Sequence, residues 1–198
     1  MISFLSKSIT LFLLQNNIIE KEKTSVYEYG LEVMISTVIG FLLIFTAGLL
    51  LNELASAMIF YAMFIIVRQY TGGYHADSHL KCKLTMLSSC LLVLITVKYY
   101  ISMFTFLWHF IFLITYCVIV FLFAPVEHVN ASMSDDLKKR NKTISIIIAI
   151  ILTATNLFGY WHFQKITMVS SITLFIIAIL IIITQISRKE KMLYEKNN

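Results

Sequence analysis

The sequence predicts an all-α, polytopic membrane protein with about six transmembrane helices and an N-terminal amphipathic helix at the membrane interface. Hydrophobic residues make up 59% of the 198 residues, charged residues make up 14%, and the mean hydropathy is +0.82. A soluble fold of this length could not remove so much apolar surface from water. One proline and six glycines provide few loop signals, so short connections between bundled helices are expected.

Residues 1–32 are predicted to form an N-terminal arm whose partner is membrane lipid. Apolar side chains recur at spacings of three and four along one helical face, at Ile2, Leu5, Ile9, Phe12 and Leu13. Such a face is typical of a helix that lies in the plane of the membrane surface. The apolar core of this segment is short and no small-residue cleavage site follows it, which argues against a secretory signal.

The transmembrane bundle is predicted to cover residues 33–187 of a single domain, 1–198. Its six apolar segments are 33–51, 54–67, 85–104, 107–124, 143–161 and 166–187. The second segment has only fourteen residues, whereas a full crossing needs about 20. We therefore expect the second span to include part of its polar flank.

Two polar loops, 68–84 and 125–142, and a polar tail, 188–198, are predicted on one side of the membrane. Of the 16 Lys and Arg residues, Lys98 and Lys165 fall on the other side and the remaining 14 fall on this one. The positive-inside rule then places both termini and both loops in the cytoplasm. Topology alone explains the net charge of +5, so no nucleic-acid partner is expected.

Three features inside the spans have mainly structural interpretations. A stripe of Ser36, Gly40, Ile44 and Gly48 at four-residue spacing could pack helices within the chain or between the protomers of a homodimer. Glu53, between the first two spans, is expected to be solvated at a turn. His109 and His162 lie near the ends of spans and are expected at the membrane interface.

The loop 68–84 concentrates the titratable and nucleophilic side chains of the first two thirds of the chain. Gly72 and Gly73 are poor helix residues, each costing about 1 kcal/mol relative to alanine, so the second span should end there. Asp77 or Ser78 could cap the next helix and place Cys82 near its N-terminus. The helix dipole and the neighbouring charges of Lys81 and Lys83 would favour the Cys82 thiolate.

Spacing alone leaves the chemistry of this loop open. A cysteine nucleophile needs a base, and the helical spacing slightly favours His79 over His75. His75, His79 and Cys82 also fall at i, i+4 and i+7, so a membrane zinc metalloprotease is an alternative. A third interpretation is a non-enzymatic peptide exporter in which the loop is a hinge, and an incidental arrangement is the simplest of all.

The pattern Arg68-x-x-x-Gly72-Gly73-x-His75-Ala76, followed by Cys82, resembles the signature of the accessory gene regulator protein B (AgrB) family. Ala124-Pro125 and the basic run Lys138-Lys139-Arg140-x-Lys142 are similar to that family's second cytoplasmic loop. Length and hydropathy agree with the family over the whole chain. Members of the family are membrane cysteine endopeptidases of Gram-positive bacteria.

The resemblance implies a function and assigns roles to residues. His75 and Cys82 become the catalytic base and nucleophile, in place of His79, with no metal and no cofactor. Arg68, Gly72 and Gly73 become supporting residues, and the basic residues Lys138, Lys139, Arg140 and Lys142 become candidates for binding substrate. The implied substrate is a short AgrD-like pro-peptide, which is cleaved before an acidic tail through a Cys82 thioester and closed to a thiolactone or lactone signal for quorum sensing.

Overall fold

A computed structural model describes residues 2–72, 79–126 and 134–197 of the chain. These residues form seven α-helices and no β-strand. The helices are α1 (Ile2–Gln15), α2 (Thr24–Leu50), α3 (Leu54–Thr71), α4 (His79–Tyr100), α5 (Phe106–Phe123), α6 (Asp135–Gly159) and α7 (Gln164–Asn197). Short 3-10 turns, Lys21–Lys23 and Ile101–Met103, precede α2 and follow α4. Six helices, α2 to α7, are long and apolar enough to cross a membrane, which confirms the predicted fold class.

The second span extends into its polar flank, as the sequence predicts. Helix α3 has 18 residues and includes Arg68 and Thr71 in its last turn. The helix ends where glycine begins, because Gly72 adopts φ +70° and ψ −156°, a conformation that side-chain-bearing residues rarely adopt. The polar residues from Arg68 to Thr71 thus extend the fourteen apolar residues to a helix that is long enough to cross a membrane.

Three helices extend beyond the apolar segments of the sequence, because polar sequence does not end them. Helix α6 begins at Asp135, inside the predicted loop 125–142, and α2 begins at Thr24, inside the predicted arm. Helix α7 continues through the predicted tail to Asn197. For α6 the physical reason is local: two acidic residues occupy its first turn, where the helix dipole favours negative charge, and no glycine follows until Gly159.

Helix α7 is the centre of the bundle and packs against α3, α4, α5 and α6. Its buried surface includes Ser171 and Thr173 as well as aliphatic residues. The Ser171 hydroxyl donates to the carbonyl of Met168 at 3.2 Å, and the Thr173 hydroxyl donates to that of Val169 at 2.7 Å. Because these small side chains satisfy their own polar groups within the helix, they allow neighbouring helices to approach closely.

The small-residue stripe of α2 packs within the chain. A Cβ added to Gly40 would lie 2.9 Å from the Met86 Cε atom on α4, and one added to Gly48 would lie 2.7 Å from the Ala57 Cβ atom on α3. Ile44, between these glycines, is fully buried. The intramolecular interpretation is therefore confirmed, and this stripe offers no free surface for a homodimer.

Helix α1 packs on α2 through small polar residues and turns its apolar side chains outward. Ser6 and Thr10 are buried, and their hydroxyls donate to carbonyls of α1 itself. On the predicted apolar face, Leu5, Ile9 and Phe12 are exposed. The protein thus leaves uncovered the apolar surface from which the sequence predicts contact with lipid.

The two ends of the bundle differ in character, and we name them the Cys82 end and the Glu53 end after the residues described below. At the Glu53 end, the turn between α2 and α3 binds both isolated lysines. The Lys165 ammonium lies 2.7 Å from Glu53 Oε1, and the Lys98 ammonium donates to the Leu51 carbonyl at 2.9 Å. The Ser56 hydroxyl donates to the other Glu53 carboxylate oxygen at 2.7 Å.

The prediction that Glu53 is solvated is therefore wrong. Only 8% of the residue is exposed, because the turn folds its carboxylate between α3 and the start of α7. Burial alone would raise the pKa of Glu53, but the hydrogen bonds from Lys165 and Ser56 and the charges of Lys165 and Lys98 outweigh burial. The net result is a pKa below the ordinary value for glutamate, so Glu53 is an ionised anchor between these helices.

The prediction for His109 is also wrong. His109 is fully buried between α5 and α6, and its Nε2 donates to the carbonyl of Asn156 at 3.3 Å. The rings of Phe104, Phe106 and Tyr160 surround the imidazole. Position near the end of a span did not reveal that this face of α5 is covered by α6.

Candidate active site

Cys82 lies in the first turn of α4, beside the last turn of α3. The thiol is half-buried, and the Arg68 Nη1 group donates to the Cys82 Sγ atom at 3.7 Å. Fourteen residues separate the two side chains in sequence, and the hairpin of α3 and α4 brings them together. A nucleophilic atom and a permanent positive charge are thus paired at one end of the bundle.

Phe64 holds the guanidinium of Arg68 in place. Phe64 precedes Arg68 by one helical turn on α3, and the Arg68 guanidinium carbon lies 5.4 Å from the centre of the Phe64 ring. The ring is itself fixed, because Phe64 is only 2% exposed and stacks on Phe60. A cation–π contact with a buried ring helps to orient the guanidinium.

The second terminal nitrogen of Arg68 is buried and has no hydrogen-bond partner among the described residues. A guanidinium carries five N–H donors and stays protonated in proteins. A buried donor of this kind is costly to leave unpaired. Beside Cys82, therefore, the site holds a charged donor with capacity for an additional acceptor.

Lys83 connects the start of α4 to α2. Its ammonium donates to the Ser36 carbonyl at 2.8 Å and to the Ser36 hydroxyl at 2.7 Å. The sequence suggested that the Lys83 charge supports the thiolate. The ammonium hydrogen-bonds to Ser36 and also interacts electrostatically with Cys82. Arg68 is the cation whose contact with the sulfur the structure shows.

Gly72 connects the end of α3 to the segment that follows α5. The Val126 amide donates to the Thr71 carbonyl at 2.9 Å, and Gly72 and Val126 form an isolated parallel bridge. A Cβ on Gly72 would collide with the Val126 carbonyl oxygen. The glycine is therefore required both by its positive φ and by the close approach of another backbone, and the segment from Ala124 to Val126 is brought to the Cys82 end.

Several predicted site residues lie outside the described part of the chain. They are Gly73, His75, Asp77 and Ser78, and of His79 only the backbone is described, as the first residue of α4. The pairing of His75 with Cys82 therefore stays a prediction, and so does the zinc alternative. Within the described ranges, no group of three His, Cys, Asp or Glu side chains could hold a metal ion.

The four basic candidates are exposed on the first two turns of α6, at the Cys82 end. They do not share a helical face. Lys138 lies seven residues, or about two turns, before the buried Ser145, so both residues lie on the helical face that packs into the bundle. Lys142 lies one turn after Lys138, close to the same face. Arg140 points about 140° away from that face at 100° per residue. Lys138 and Lys142 are thus the residues best placed to extend over the end of the bundle.

Sequence reasoning missed Phe64, Ser36 and Val126. The spacing of four between Phe64 and Arg68 was an available signal, because such residues are neighbours on a helix. The contacts of Ser36 with Lys83 and of Val126 with Thr71 depend on which helices become neighbours, and no local pattern marks them.

These features define a class: a six-span helical membrane protein with a thiol and guanidinium pair where two spans meet. The profile of the family Accessory gene regulator B matches residues 6–187. The chain belongs to this family, which is involved in the processing of autoinducing peptides.

Named relatives agree with that assignment. An AgrB-like protein of Clostridium perfringens strain SM101 is 32% identical over 127 residues, or 61% of this chain and 59% of the relative. A second AgrB-like protein, from Clostridium perfringens strain 13, is 29% identical over 77% of this chain and 78% of its own length. An AgrB-like protein of Clostridium beijerinckii is 25% identical over 77% and 74%. No solved structure matches the chain significantly.

Proposed function

We propose that this protein is a membrane cysteine endopeptidase that removes the C-terminal tail of an AgrD-like pro-peptide and promotes its cyclisation. The contact between Arg68 and Cys82 is the observation that carries the proposal. It places a positive donor on the sulfur of a half-buried cysteine, and the thiolate form of cysteine is the nucleophile in peptide cleavage. Membership of the family supports an AgrD-like peptide as the substrate.

The reaction proceeds in two acyl transfers. His75, the proposed acid and base, takes the proton of the Cys82 thiol, and the sulfur attacks the carbonyl carbon before the tail. The tail then leaves as an amine that takes this proton from His75. A thioester between the peptide and Cys82 remains. An internal thiol or hydroxyl of the peptide then gives its proton to His75 and attacks the thioester, which closes the ring and releases the Cys82 sulfur. For a thiol, one thioester replaces another, so this second transfer is nearly isoenergetic and needs no ATP.

Water must be kept from the thioester, since hydrolysis would yield a linear product. Cys82 is half-buried at the end of the apolar spans. A site at the membrane interface limits the access of water to the acyl group while the ring closes.

We place the Cys82 end in the cytoplasm of the cell. Lys98 and Lys165 lie at the Glu53 end, where both side chains contact the turn between α2 and α3. The exposed basic residues of α6 lie at the opposite end. This segregation supports the cytoplasmic orientation through the positive-inside rule.

The acidic tail of the pro-peptide is proposed to bind the start of α6. Lys138, Lys139, Arg140 and Lys142 are exposed there, and charge pairs between exposed lysines and carboxylates add modest affinity and steer association. The helical faces predict unequal contributions. Lys138→Gln and Lys142→Gln should each raise the substrate concentration for half-maximal cleavage about 3- to 10-fold, and Arg140→Gln should have a smaller effect.

Purified protein in lipid nanodiscs and a synthetic pro-peptide allow this measurement. A Lys189→Gln variant, which removes an exposed charge from α7, is the matched control. Membrane insertion and yield should be unchanged in all four variants. If all four variants, including Lys189→Gln, raised the substrate concentration for half-maximal cleavage equally, the effect would come from the overall positive charge. That result would contradict a tail-binding face on α6.

The test of the proposed activity is co-expression with the candidate pro-peptide, read by mass spectrometry. Cys82→Ala should abolish cleavage. Cys117→Ser is the matched control, because a hydroxyl can keep the contact of 3.0 Å that the Cys117 sulfur makes with the Thr153 hydroxyl. Continued cleavage by Cys82→Ala would contradict the proposal.

The same experiment separates the two alternatives. Loss of cleavage with a chelator, and no loss with a thiol-alkylating reagent, would support a metalloprotease using His75, His79 and Cys82. Export of the peptide without any cleavage would support a non-enzymatic exporter. Because the Arg68 contact lies on the sulfur, sensitivity to the alkylating reagent is the expected result.

A further inference from the structure

We propose that Arg68 is the oxyanion-binding residue of the reaction: its unpaired Nη2 group donates to the oxygen of the carbonyl that Cys82 attacks. The inference rests on the proposed function, and it assigns to one residue a step that family membership does not assign. Its basis is a pair of observations on one side chain. Nη1 lies 3.7 Å from the nucleophilic sulfur, and Nη2 is buried with no partner among the described residues.

The geometry of a guanidinium connects these two observations. Its terminal nitrogens are held in one rigid plane, and they bind pairs of adjacent acceptors in a fork. When the sulfur attacks, the carbonyl oxygen lies one bond beyond the carbon that the sulfur is joining. A fork with one nitrogen on the sulfur can therefore offer its other nitrogen to that oxygen.

The attack places negative charge on the carbonyl oxygen, and a hydrogen-bond donor at that position stabilises this charge. The sulfur lone pair forms the bond to carbon, the π electrons of the carbonyl move to oxygen, and an oxyanion results. The oxyanion then collapses, the bond from carbon to the leaving nitrogen breaks, and the carbonyl is restored. Arg68 stays protonated throughout, so it stabilises the negative charge without exchanging a proton.

Phe64 is assigned a positioning role in the same step. The guanidinium lies over its ring, and the ring is buried and stacked on Phe60. A donor helps most when it is already oriented before charge develops, because no reorganisation is then needed during the reaction. The sulfur contact and the ring contact together fix Arg68 from two directions.

The experiment measures kcat and KM for cleavage of a synthetic pro-peptide by the full chain in nanodiscs. Wild type, Arg68→Gln and Arg68→Lys are compared, and Arg188→Gln is the matched control for loss of an arginine. The alkylation rate of Cys82 by iodoacetamide is measured over a pH series in a background that lacks the other two cysteines. Cleavage rates are then compared at a pH at which wild type and Arg68→Gln alkylate equally fast.

At that pH the thiolate populations are matched, so any remaining deficit belongs to a later event. We expect Arg68→Gln to cleave about 100-fold more slowly than wild type, with KM changed less than about 3-fold, because loss of one oxyanion donor typically costs 10²- to 10³-fold in kcat. Arg68→Lys should recover part of the rate, since it keeps the charge and loses the fork. Arg188→Gln should cleave at the wild-type rate.

Three results would overturn the inference. Equal cleavage rates at matched alkylation would mean that Arg68 acts only on the thiol. A large rise in KM with unchanged kcat would mean that Arg68 binds a carboxylate of the substrate. Loss of the folded, monodisperse form of both Arg68 variants in size-exclusion chromatography would mean that its role is structural.

A failure of the proposed function is distinguishable from these three results, because Cys82→Ala would then still cleave the pro-peptide. The Arg68 variants would in that case report on a reaction that does not use Cys82. Phe64→Leu gives an independent check on the positioning role. It should lower kcat about 10-fold and leave KM near the wild-type value, whereas an unchanged kcat would remove Phe64 from the assignment.

Discussion

Replacing Gly72 by alanine tests whether the bridge between α3 and the segment after α5 organises the site. Gly72 has φ +70° and ψ −156°, and its added Cβ would meet the Val126 carbonyl oxygen, which is backbone and cannot rotate away. A backbone conformation of this kind costs about 1 to 3 kcal/mol for a residue with a side chain. Loss of the hydrogen bond from the Val126 amide to Thr71 adds about 0.5 to 1.5 kcal/mol.

These costs place the penalty of Gly72→Ala at roughly 1.5 to 4.5 kcal/mol on the bridged arrangement. Because each 1.4 kcal/mol is about a tenfold change in an equilibrium, the penalty shifts the bridge toward open forms by at least about 10-fold. We expect processing of the pro-peptide, measured by mass spectrometry, to fall more than about 10-fold while the protein still inserts in the membrane.

Gly30→Ala is the matched control, since no atom lies within 4 Å of a Cβ added there and the residue is helical. Alanine should be neutral or slightly stabilising at Gly30. If Gly72→Ala processed the substrate as well as Gly30→Ala does, the bridge would not be part of the functional arrangement.

The remaining predictions concern stability, followed by thermal unfolding in detergent. Glu53→Gln should destabilise the protein by about 1 to 2 kcal/mol, because it removes the charged partner of the half-exposed Lys165 at a buried position. The pKa of Glu53 is lowered in the folded state, so the stability that its charge contributes is present above about pH 4.5 and is lost as the pH falls below that value. Glu53→Gln should lack this acid-dependent loss of stability. A dependence of stability on acid pH identical to that of wild type would contradict the assignment. Gly48→Ala should cost about 1 to 3 kcal/mol and more than Gly40→Ala, because Gly48 faces the Leu54 backbone and Gly40 faces the flexible end of Met86; a reversed order would contradict the packing described for α2.

Hydropathy predicted the six spans, and the poor helix propensity of glycine predicted the end of α3, because both depend on local sequence. The short second segment is the clearest case: fourteen apolar residues require a polar extension, and α3 includes Arg68 to Thr71. Hydropathy did not indicate that α6 begins at Asp135, inside the polar segment 125–142. A polar segment is expected to lie outside the lipid, but it can still be helical. A helix can continue into water because its backbone hydrogen bonds are made within the helix.

Tertiary contacts could not be predicted in the same way. The burial of Ser171 and His109 depends on the neighbours of α7 and α5, and the ionised anchor at Glu53 depends on a lysine 112 residues away. The site shows the same division. Spacing and resemblance indicated Cys82 and Arg68 as separate candidates, whereas their contact arises only when the hairpin of α3 and α4 forms.

The most direct measurement of the central claim is the intact mass of the protein after reaction with a pro-peptide whose ring-closing nucleophile is replaced by alanine. Ring closure is then blocked, and the acyl group should stay on the enzyme. We predict an added mass equal to that of the tail-less peptide acid minus one water, located on Cys82, released by hydroxylamine and absent from Cys82→Ala. Cleavage of this peptide without an adduct on Cys82, at times before the acyl-enzyme hydrolyses, would contradict the thioester mechanism.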